Sequence, residues 1–131
     1  MWQIITAVLA LASPPVSQGQ TIIGTAYGPR QRLVCEWFTN FENSRFEQCH
    51  TLKGTAPVLE DGASIECLGS NCKELDAAAR KVVRWGKPEP VWGTFRVEIF
   101  GRVSAARHEK RYVGDASRTV LIEKLVSVRK R

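Results

Sequence analysis

Four cysteines, Cys35, Cys49, Cys67 and Cys72, limit the folds open to this chain more than any other feature. An even number of cysteines is typical of the disulfide framework of an exported protein, and four cysteines allow three pairings. If residues near 35 and 49 form an antiparallel hairpin, Cys35 and Cys49 face each other about its midpoint, Glu42. Opposed Cα atoms of a non-hydrogen-bonded pair lie about 4.5 Å apart, which is within disulfide reach. The sequence therefore favours disulfides Cys35–Cys49 and Cys67–Cys72.

A zinc site is the alternative use of these cysteines. Cys67 and Cys72 have a tolerable spacing for ligands, and Cys49 with the adjacent His50 could supply a second pair. Neither pair has the tight C-x-x-C spacing of a zinc knuckle, and an oxidising compartment favours disulfides over metal. We therefore expect no metal and no cofactor. The absence of a C-x-x-C motif also argues against a thiol oxidoreductase.

The first 19 residues have the pattern of a secretory signal peptide. The apolar run over residues 4–12 is too short to cross a bilayer, which needs about 20 apolar residues. It has the length of a signal h-region, and Ser17 and Gly19 supply small residues for cleavage after Gly19. Cleavage after Ala12 and an N-terminal strand or tail are the alternatives. We expect one mature domain over residues 20–131, periplasmic or secreted, with no transmembrane segment.

The charge of the chain is unevenly distributed. The whole sequence carries a net charge of +6. Residues 20–79 contain 5 Lys and Arg against 8 Asp and Glu, whereas residues 80–131 contain 14 against 5. A basic half of this kind attracts nucleic acid, anionic lipid or acidic glycans, although a solvated surface explains the same excess.

Alternating and turn-forming residues predict five strands and one helix. The strands are expected over residues 32–41, 45–52, 63–68, 91–103 and 118–128, with a turn at Glu42-Asn43-Ser44 between the first two. Residues 54–62 and 104–117 are expected to form loops. Asn71 is expected to be the N-cap of a helix that ends near Gly86, because Glu74 follows three residues later and apolar residues recur at helical spacing.

Three strands, a helix and two further strands follow the element order of an OB-fold, a five-stranded Greek-key barrel. The stretch WGTFRVEIFGRV at residues 92–103 resembles the fourth strand of small OB-like domains of bacterial envelope proteins. Their motif G-x-[FY]-x-V-x-[FIV]-x-G-R precedes a polar loop and a final apolar strand. The resemblance covers residues 91–128 and the preceding helix, and it implies a fold and a compartment rather than an activity. A plain α+β sandwich is the alternative architecture.

The sequence gives little support for catalysis. His50 follows a cysteine that is expected to be cross-linked, and His108 lies in a basic loop next to Glu109. Residues adjacent in sequence rarely have the geometry of an acid–base pair. No G-x-S-x-G, H-E-x-x-H or phosphate-binding loop motif occurs in the chain. We therefore expect a protein that is not an enzyme.

Binding is better supported, because oligonucleotide-binding OB barrels place aromatic and cationic side chains on their strands and flanking loops. The predicted ligand-binding residues are Arg45, Trp92, Arg96, Phe100, Arg102, Arg107, Arg111 and Tyr112. The strand alternation places Trp92, Arg96, Phe100 and Arg102 on the solvent-exposed face of one strand. For the phenylalanines, including Phe41 and Phe100, packing as core at the barrel ends is the favoured interpretation, because aromatic side chains are more often buried.

Two functions remain open from the sequence. The first is a non-enzymatic binding module that holds an anionic polymer, such as single-stranded nucleic acid or an acidic envelope polymer, on a basic and partly aromatic face. The second is a structural or protein-interaction component of the cell envelope that binds an envelope protein and no small ligand. Strongly salt-dependent binding is expected only for the first.

Overall fold

A computed structural model of the protein describes residues 20–22, 24–54 and 57–131. The predicted signal peptide over residues 1–19 lies outside the described residues. In the part of the chain that the structure describes, no helix combines the length and the apolar character needed to span a membrane.

The described residues form eight strands and one helix, so the expectation of a mainly β fold with one helix is confirmed. The strands are β1 (Gln20–Ile22), β2 (Thr25–Tyr27), β3 (Gln31–Thr39), β4 (Ser44–Thr51), β5 (Pro57–Leu59), β6 (Ser64–Cys67), β7 (Gly93–Val103) and β8 (Thr119–Lys130). The helix, α1, spans Asn71–Val83.

The main sheet has six strands in the order β5-β4-β3-β7-β8-β6, and β1 pairs with β2 in a separate ribbon. All neighbours in the main sheet are antiparallel except β6 and β8, which are parallel. The predicted count of five strands is wrong. Residues 57–59, predicted as loop, pair with β4 as β5, and Leu59 lies opposite Cys49.

The sheet is curled into a half-barrel. Phe46 of β4 and Ala63, the residue before β6, form an antiparallel bridge with N–H···O distances of 3.0 and 2.8 Å. These two hydrogen bonds connect the middle of β4 to the β6 edge of the same sheet. The curl therefore brings loops from distant parts of the chain to the same region of the surface.

The core lies on the concave side of the sheet. Leu33, Cys35 and Trp37 alternate along β3, and their buried side chains pack with those of Phe95 and Val97 on β7. Helix α1 contributes Leu75 and Ala79, both buried. In β7 buried positions alternate with more exposed ones over residues 95–100, as expected of a sheet with one face covered, whereas in β3 the intervening Val34 and Glu36 are buried as well.

The prediction of Asn71 as the helix N-cap is wrong, because Ser70 occupies that position and donates its hydroxyl to Glu74 Oε2 at 2.6 Å. The Asn71 side chain instead binds β8. Its Nδ2 donates to Glu123 O at 3.0 Å, and its Oδ1 accepts from Leu125 N at 3.0 Å. The pairing of β7 with β8 shifts register next to these residues. Asn71 therefore satisfies backbone groups of β8 and fixes the start of the helix against the sheet.

Both predicted disulfides are present. Cys35 and Cys49 lie opposite each other across β3 and β4, with Cα atoms 4.1 Å apart, and both are buried in the core. Cys67 and Cys72 connect the end of β6 to the first turn of α1, where Cys72 is exposed. The hairpin prediction is confirmed, and the four cysteines are engaged in disulfides rather than in a zinc site.

We expect removal of the buried disulfide to cost more stability than removal of the exposed one. Replacing Cys35 and Cys49 by Ala releases a longer loop and empties two core positions, at a cost of about 3 kcal/mol or more. Replacing Cys67 and Cys72 by Ala releases a loop with a sequence separation of only 5, at a cost of about 2 kcal/mol. Equilibrium urea unfolding measures both costs, and an equal or reversed order would show the expectation to be wrong.

A second prediction concerns the register shift between Phe100 and Gly101 in the pairing of β7 with β8. A Cβ on Gly101 would lie 2.5 Å from the backbone oxygen of Leu121, so the two strands would have to separate. Gly101→Ala should lower the free energy of unfolding by about 1–3 kcal/mol. Gly86→Ala is the matched control, because open space surrounds that position. Similar unfolding midpoints for the two variants would contradict the prediction.

Candidate binding surface

The structure divides the eight predicted ligand-binding residues between different parts of the surface. Arg45, Trp92 and Arg96 lie toward the β3–β4 turn, where β7 begins. Phe100 and Arg102 lie toward the opposite end of β7, and Arg107, Arg111 and Tyr112 follow in the β7–β8 loop. The predicted face is therefore not one continuous patch along β7.

The expectation that Arg102 lies on the solvent-exposed face is wrong. The residue is only 4% exposed. Its Nε lies 3.0 Å from Glu123 Oε2, and its Nη1 donates to Gly28 O at 3.1 Å. Gly28 follows β2 and donates its own N–H to Val103 O at 2.8 Å. The chain leaving the β1–β2 ribbon thus covers this part of the outer face of β7.

Four cationic residues from β7 and the end of β8 form what we call the basic cluster: Arg96, Arg129, Lys130 and Arg131. They line a cavity of about 220 Å³. Arg96 lies opposite Arg129 in the β7–β8 pairing, and the N–H of Arg131 donates to Thr94 O at 3.2 Å. The extension of β8 to Lys130, two residues beyond the predicted strand, places Arg129 opposite Arg96 at this end of the sheet.

One carboxylate partly neutralises the basic cluster. Glu36 of β3 is 6% exposed and accepts a hydrogen bond from Arg96 Nη2 at 3.3 Å, while Arg131 Nε lies 3.3 Å from its other oxygen. Arg129 and Lys130 form no ion pair with any described residue. Four cationic side chains beside one carboxylate side chain leave a local excess of positive charge, which attracts anions.

An exposed aromatic pair, Phe41 and Trp92, lies at the same end of β7 as the basic cluster. Their ring centroids are 5.7 Å apart with an interplanar angle of 25°, and they are 60% and 51% exposed. Asn40 shapes the turn that carries Phe41, because its Oδ1 accepts hydrogen bonds from Glu42 N and Asn43 N at 2.8 and 2.7 Å. Two adjacent exposed aromatic rings are a feature of surfaces that bind flat ligand groups.

The β7–β8 loop reaches the β3–β4 turn. A Cβ on Gly114 would lie 3.5 Å from Oδ1 of Asn43, so the loop and the turn are in contact. Tyr112, which is 58% exposed, and the fully exposed Val113 lie next to Gly114 in this loop. Tyr112 is thereby brought toward the turn that carries Phe41, although the two residues are far apart in sequence.

A buried hydrogen-bond network holds the β7–β8 loop in place around Asp115, which is 3% exposed. Arg111 Nε and N each donate to Asp115 Oδ2 at 2.9 Å, and Ser64 Oγ donates to Oδ1 at 2.5 Å. Arg111 Nη2 also donates to Thr119 Oγ1 at 3.0 Å. The guanidinium of Arg111, predicted as a ligand contact, is therefore committed to the loop itself.

The remaining predicted residues have partners on the protein. The guanidinium groups of Arg30 and Arg32 lie over the ring of Phe100, at 4.8 and 5.5 Å from its centroid. Arg107 forms an ion pair with Asp61, and Arg45 lies 3.2 Å from Glu47. Both of these ion pairs are exposed, so they are weak and remain accessible to a competing anion.

The sequence analysis did not predict most residues of the basic cluster, and it did not predict that Phe41 and Trp92 form a pair. Of these six residues it selected only Arg96 and Trp92, and it favoured core packing for Phe41, which is exposed. The charge excess at Arg129-Lys130-Arg131 was visible, but the predicted last strand ended at residue 128. Extending the strand by two residues would have placed Arg129 opposite Arg96 on the same surface.

Comparisons with known proteins give no relative of this chain: no protein-family model, curated protein or solved structure matches it. Among the described residues, no group of three or more His, Cys, Asp or Glu side chains is arranged to hold a metal ion. The geometry of the surface itself is therefore the basis for a functional proposal.

The Asp115 network predicts a pH dependence of stability. Hydrogen bonds from Arg111, reinforced by Ser64, hold the pKa of Asp115 well below its ordinary value of 3.8. An ionised Asp115 therefore stabilises the fold fully above about pH 4, and this stabilisation is lost as the pH falls toward the lower, folded-state pKa. Asp115→Asn should destabilise the protein most at neutral pH, and the difference from wild type should shrink on acidification.

Urea unfolding between neutral pH and about pH 2.5 measures this difference. Asp61→Asn is the control, because Asp61 forms an exposed ion pair with Arg107 whose contribution to stability is small and screened by salt. A difference between wild type and Asp115→Asn that stays constant with pH would contradict the assignment.

Proposed function

We propose that the protein is an exported, OB-like barrel domain that binds an anionic polymer and catalyses no reaction. The proposed binding surface consists of the basic cluster (Arg96, Arg129, Lys130 and Arg131) and the aromatic pair (Phe41 and Trp92). One observation carries the proposal. Cationic side chains that outnumber their ion-pair partners and two exposed, stacked aromatic rings lie at the same end of β7.

The strand connections support the OB-like part of the proposal. If β5 and β6 are taken as two halves of one interrupted strand, the main sheet has five strands, with α1 between the third and the fourth. The parallel pairing of β6 with β8 and the bridge between Phe46 and Ala63 then link the neighbours that a small Greek-key barrel requires. OB barrels use the loop after the first strand and the loop before the last strand for ligands. Here these are the β3–β4 turn and the β7–β8 loop.

Two observations support export. Both disulfides are formed, and disulfides persist in oxidising compartments rather than in the cytosol. The sequence of residues 1–19 has the apolar run and small residues of a signal peptide. An exported domain with a net positive charge is attracted to the anionic polymers of the cell surface.

The chemistry of the surface supports binding rather than catalysis. Arginine guanidinium groups present planar sets of N–H donors that match phosphate, sulfate and carboxylate groups. Aromatic rings add sequence-tolerant stacking on flat ligand faces. The hydroxyl of Ser64, a nucleophile by residue type, is buried and donates to Asp115. It is therefore closed to a substrate.

Retention on a sulfated-polysaccharide resin tests the proposal. The double variant Arg129→Ala/Lys130→Ala should elute at clearly lower salt than wild type, and its affinity should depend less steeply on salt because fewer counterions are released. The matched control is Lys53→Ala/Lys81→Ala, which removes the same charge from exposed positions outside the surface and should leave most of the wild-type retention.

Equal losses in the two double variants would mean that net charge alone governs retention, and the proposed surface would be wrong. If wild type shows no salt-dependent retention and instead co-purifies with a stoichiometric envelope protein, the interaction-protein function replaces the proposed one.

A further inference from the structure

A cleft of about 390 Å³ separates the β3–β4 turn from the first turns of α1, beside the aromatic pair. Its lining includes Thr39, Phe41, Glu42, Asn43 and Asp76. None of the residues that line it is Lys or Arg. In a chain with a net charge of +6, a cleft of this size without a cation differs sharply from the basic cluster nearby.

Several polar groups in the cleft have unused hydrogen-bonding capacity. Thr39 is 4% exposed and lines the cleft, and its hydroxyl has no hydrogen-bond partner among the described residues. The exposed carboxylate of Glu42 forms no ion pair with a described residue. Asp76 accepts from Arg80 through Oδ2 alone, at 2.7 Å, which leaves Oδ1 available. The hydroxyl of Thr39 can both donate to and accept from a ligand in the cleft.

The two carboxylates determine which ligand group fits. A phosphate or sulfate group in the cleft would meet the carboxylates of Glu42 and Asp76, of which only Asp76 is paired with a cation, Arg80. Since no Lys or Arg lines the cleft, the negative charge of such a group would be repelled. Carboxylates are strong acceptors for hydroxyl donors, and Thr39 adds a group that both donates and accepts. An exposed aromatic wall, formed by Phe41 stacked on Trp92, supplies an apolar face for a flat ring.

We infer that this cleft is a subsite for a neutral, hydroxyl-rich sugar unit, so that the anionic polymer is an acidic glycan rather than a nucleic acid. The inference rests on the proposed function and specifies its ligand. Sugar hydroxyls donate to Glu42 and Asp76, one face of the ring packs on Phe41, and Thr39 binds at the base of the cleft.

The position of the basic cluster agrees with this ligand. Trp92 directly precedes β7, and Arg96 lies four residues later, which corresponds to about 13 Å in a strand. A glycan chain that leaves the cleft past the aromatic pair therefore reaches the basic cluster within a few sugar units. Acidic sugar units are then bound by the cations, and neutral units are bound by the cleft.

The test uses three probes with the mature protein: a neutral hexamer of N-acetylglucosamine, a hyaluronan hexasaccharide and a single-stranded thymidine oligonucleotide. The double variant Glu42→Gln/Asp76→Asn should bind both saccharides about tenfold more weakly, because two charge-assisted hydrogen bonds are lost. The same variant should bind the oligonucleotide as tightly as wild type or more tightly, because two negative charges are removed. The opposite signs separate the two ligand classes.

A second variant tests the cleft without a change of charge. Thr39→Val has nearly the same shape and should weaken saccharide binding several-fold while leaving oligonucleotide binding unchanged. Unfolding midpoints measured alongside show whether each variant keeps its fold. The control Lys53→Ala/Lys81→Ala changes exposed positions away from the cleft, and its affinity for the neutral hexamer should equal that of wild type.

The outcomes separate this inference from the proposed function. If neither cleft variant weakens saccharide binding while Arg129→Ala/Lys130→Ala still lowers retention on the anionic resin, the sugar subsite is wrong and the basic surface stands. If the oligonucleotide binds more tightly than either saccharide and loses affinity in the cleft variants, the ligand is a nucleic acid and the inference is overturned. Failure of wild type to bind either saccharide also overturns it.

Discussion

The disulfide between Cys35 and Cys49 sets the register of β3 against β4, and the position of the neighbouring strand β7 is tied to the same residue, Cys35. It lies in the core and fixes the register of β3 against β4. Since Cys35 also lies opposite Val97, the same register determines which residues of β7 face inward. With Cys35 and Val97 in the core, the neighbouring Glu36 and Arg96 must face outward. The basic cluster is therefore positioned by a bond on the opposite side of the sheet.

Irregularities in the strand pairing shape the sheet as much as the regular pairing does. Register shifts occur between Glu36 and Trp37 in the pairing of β3 with β4, and at two places between β7 and β8. Such irregularities bend and twist a sheet. The resulting curl allows Phe46 to bridge to Ala63 and places the β7–β8 loop on the β3–β4 turn. The ligand surface that we propose lies across three neighbouring strands of this sheet: Phe41 follows β3, Arg96 lies near the start of β7, and Arg129 lies at the end of β8.

The polar interactions separate into those that build the fold and those that remain available for a ligand. Asp115, Arg111 and Ser64 satisfy one another within the β7–β8 loop, and Arg102 is held by Glu123 and the backbone of Gly28. The cations at the end of β8 exceed the single carboxylate beside them, whereas no Lys or Arg lines the cleft near Phe41. In our proposal these two sites, one basic and one lined by carboxylates without Lys or Arg, select an acidic glycan over a uniformly charged polymer.

Local spacing and alternation were enough to specify the Cys35–Cys49 hairpin, the single helix and the inward-facing residues of β7, because the residues display these patterns directly. Contacts between distant residues were needed to bury Arg102, to commit Arg111 to a loop network and to bind Asn71 to β8. The same contacts add β5 as a sixth strand of the main sheet and leave Phe41 exposed.

Alternation assigns a side chain to one face of a strand, but it does not say what covers that face. Whether the β1–β2 ribbon lies over it, or the curl brings a loop against it, depends on residues far apart in sequence.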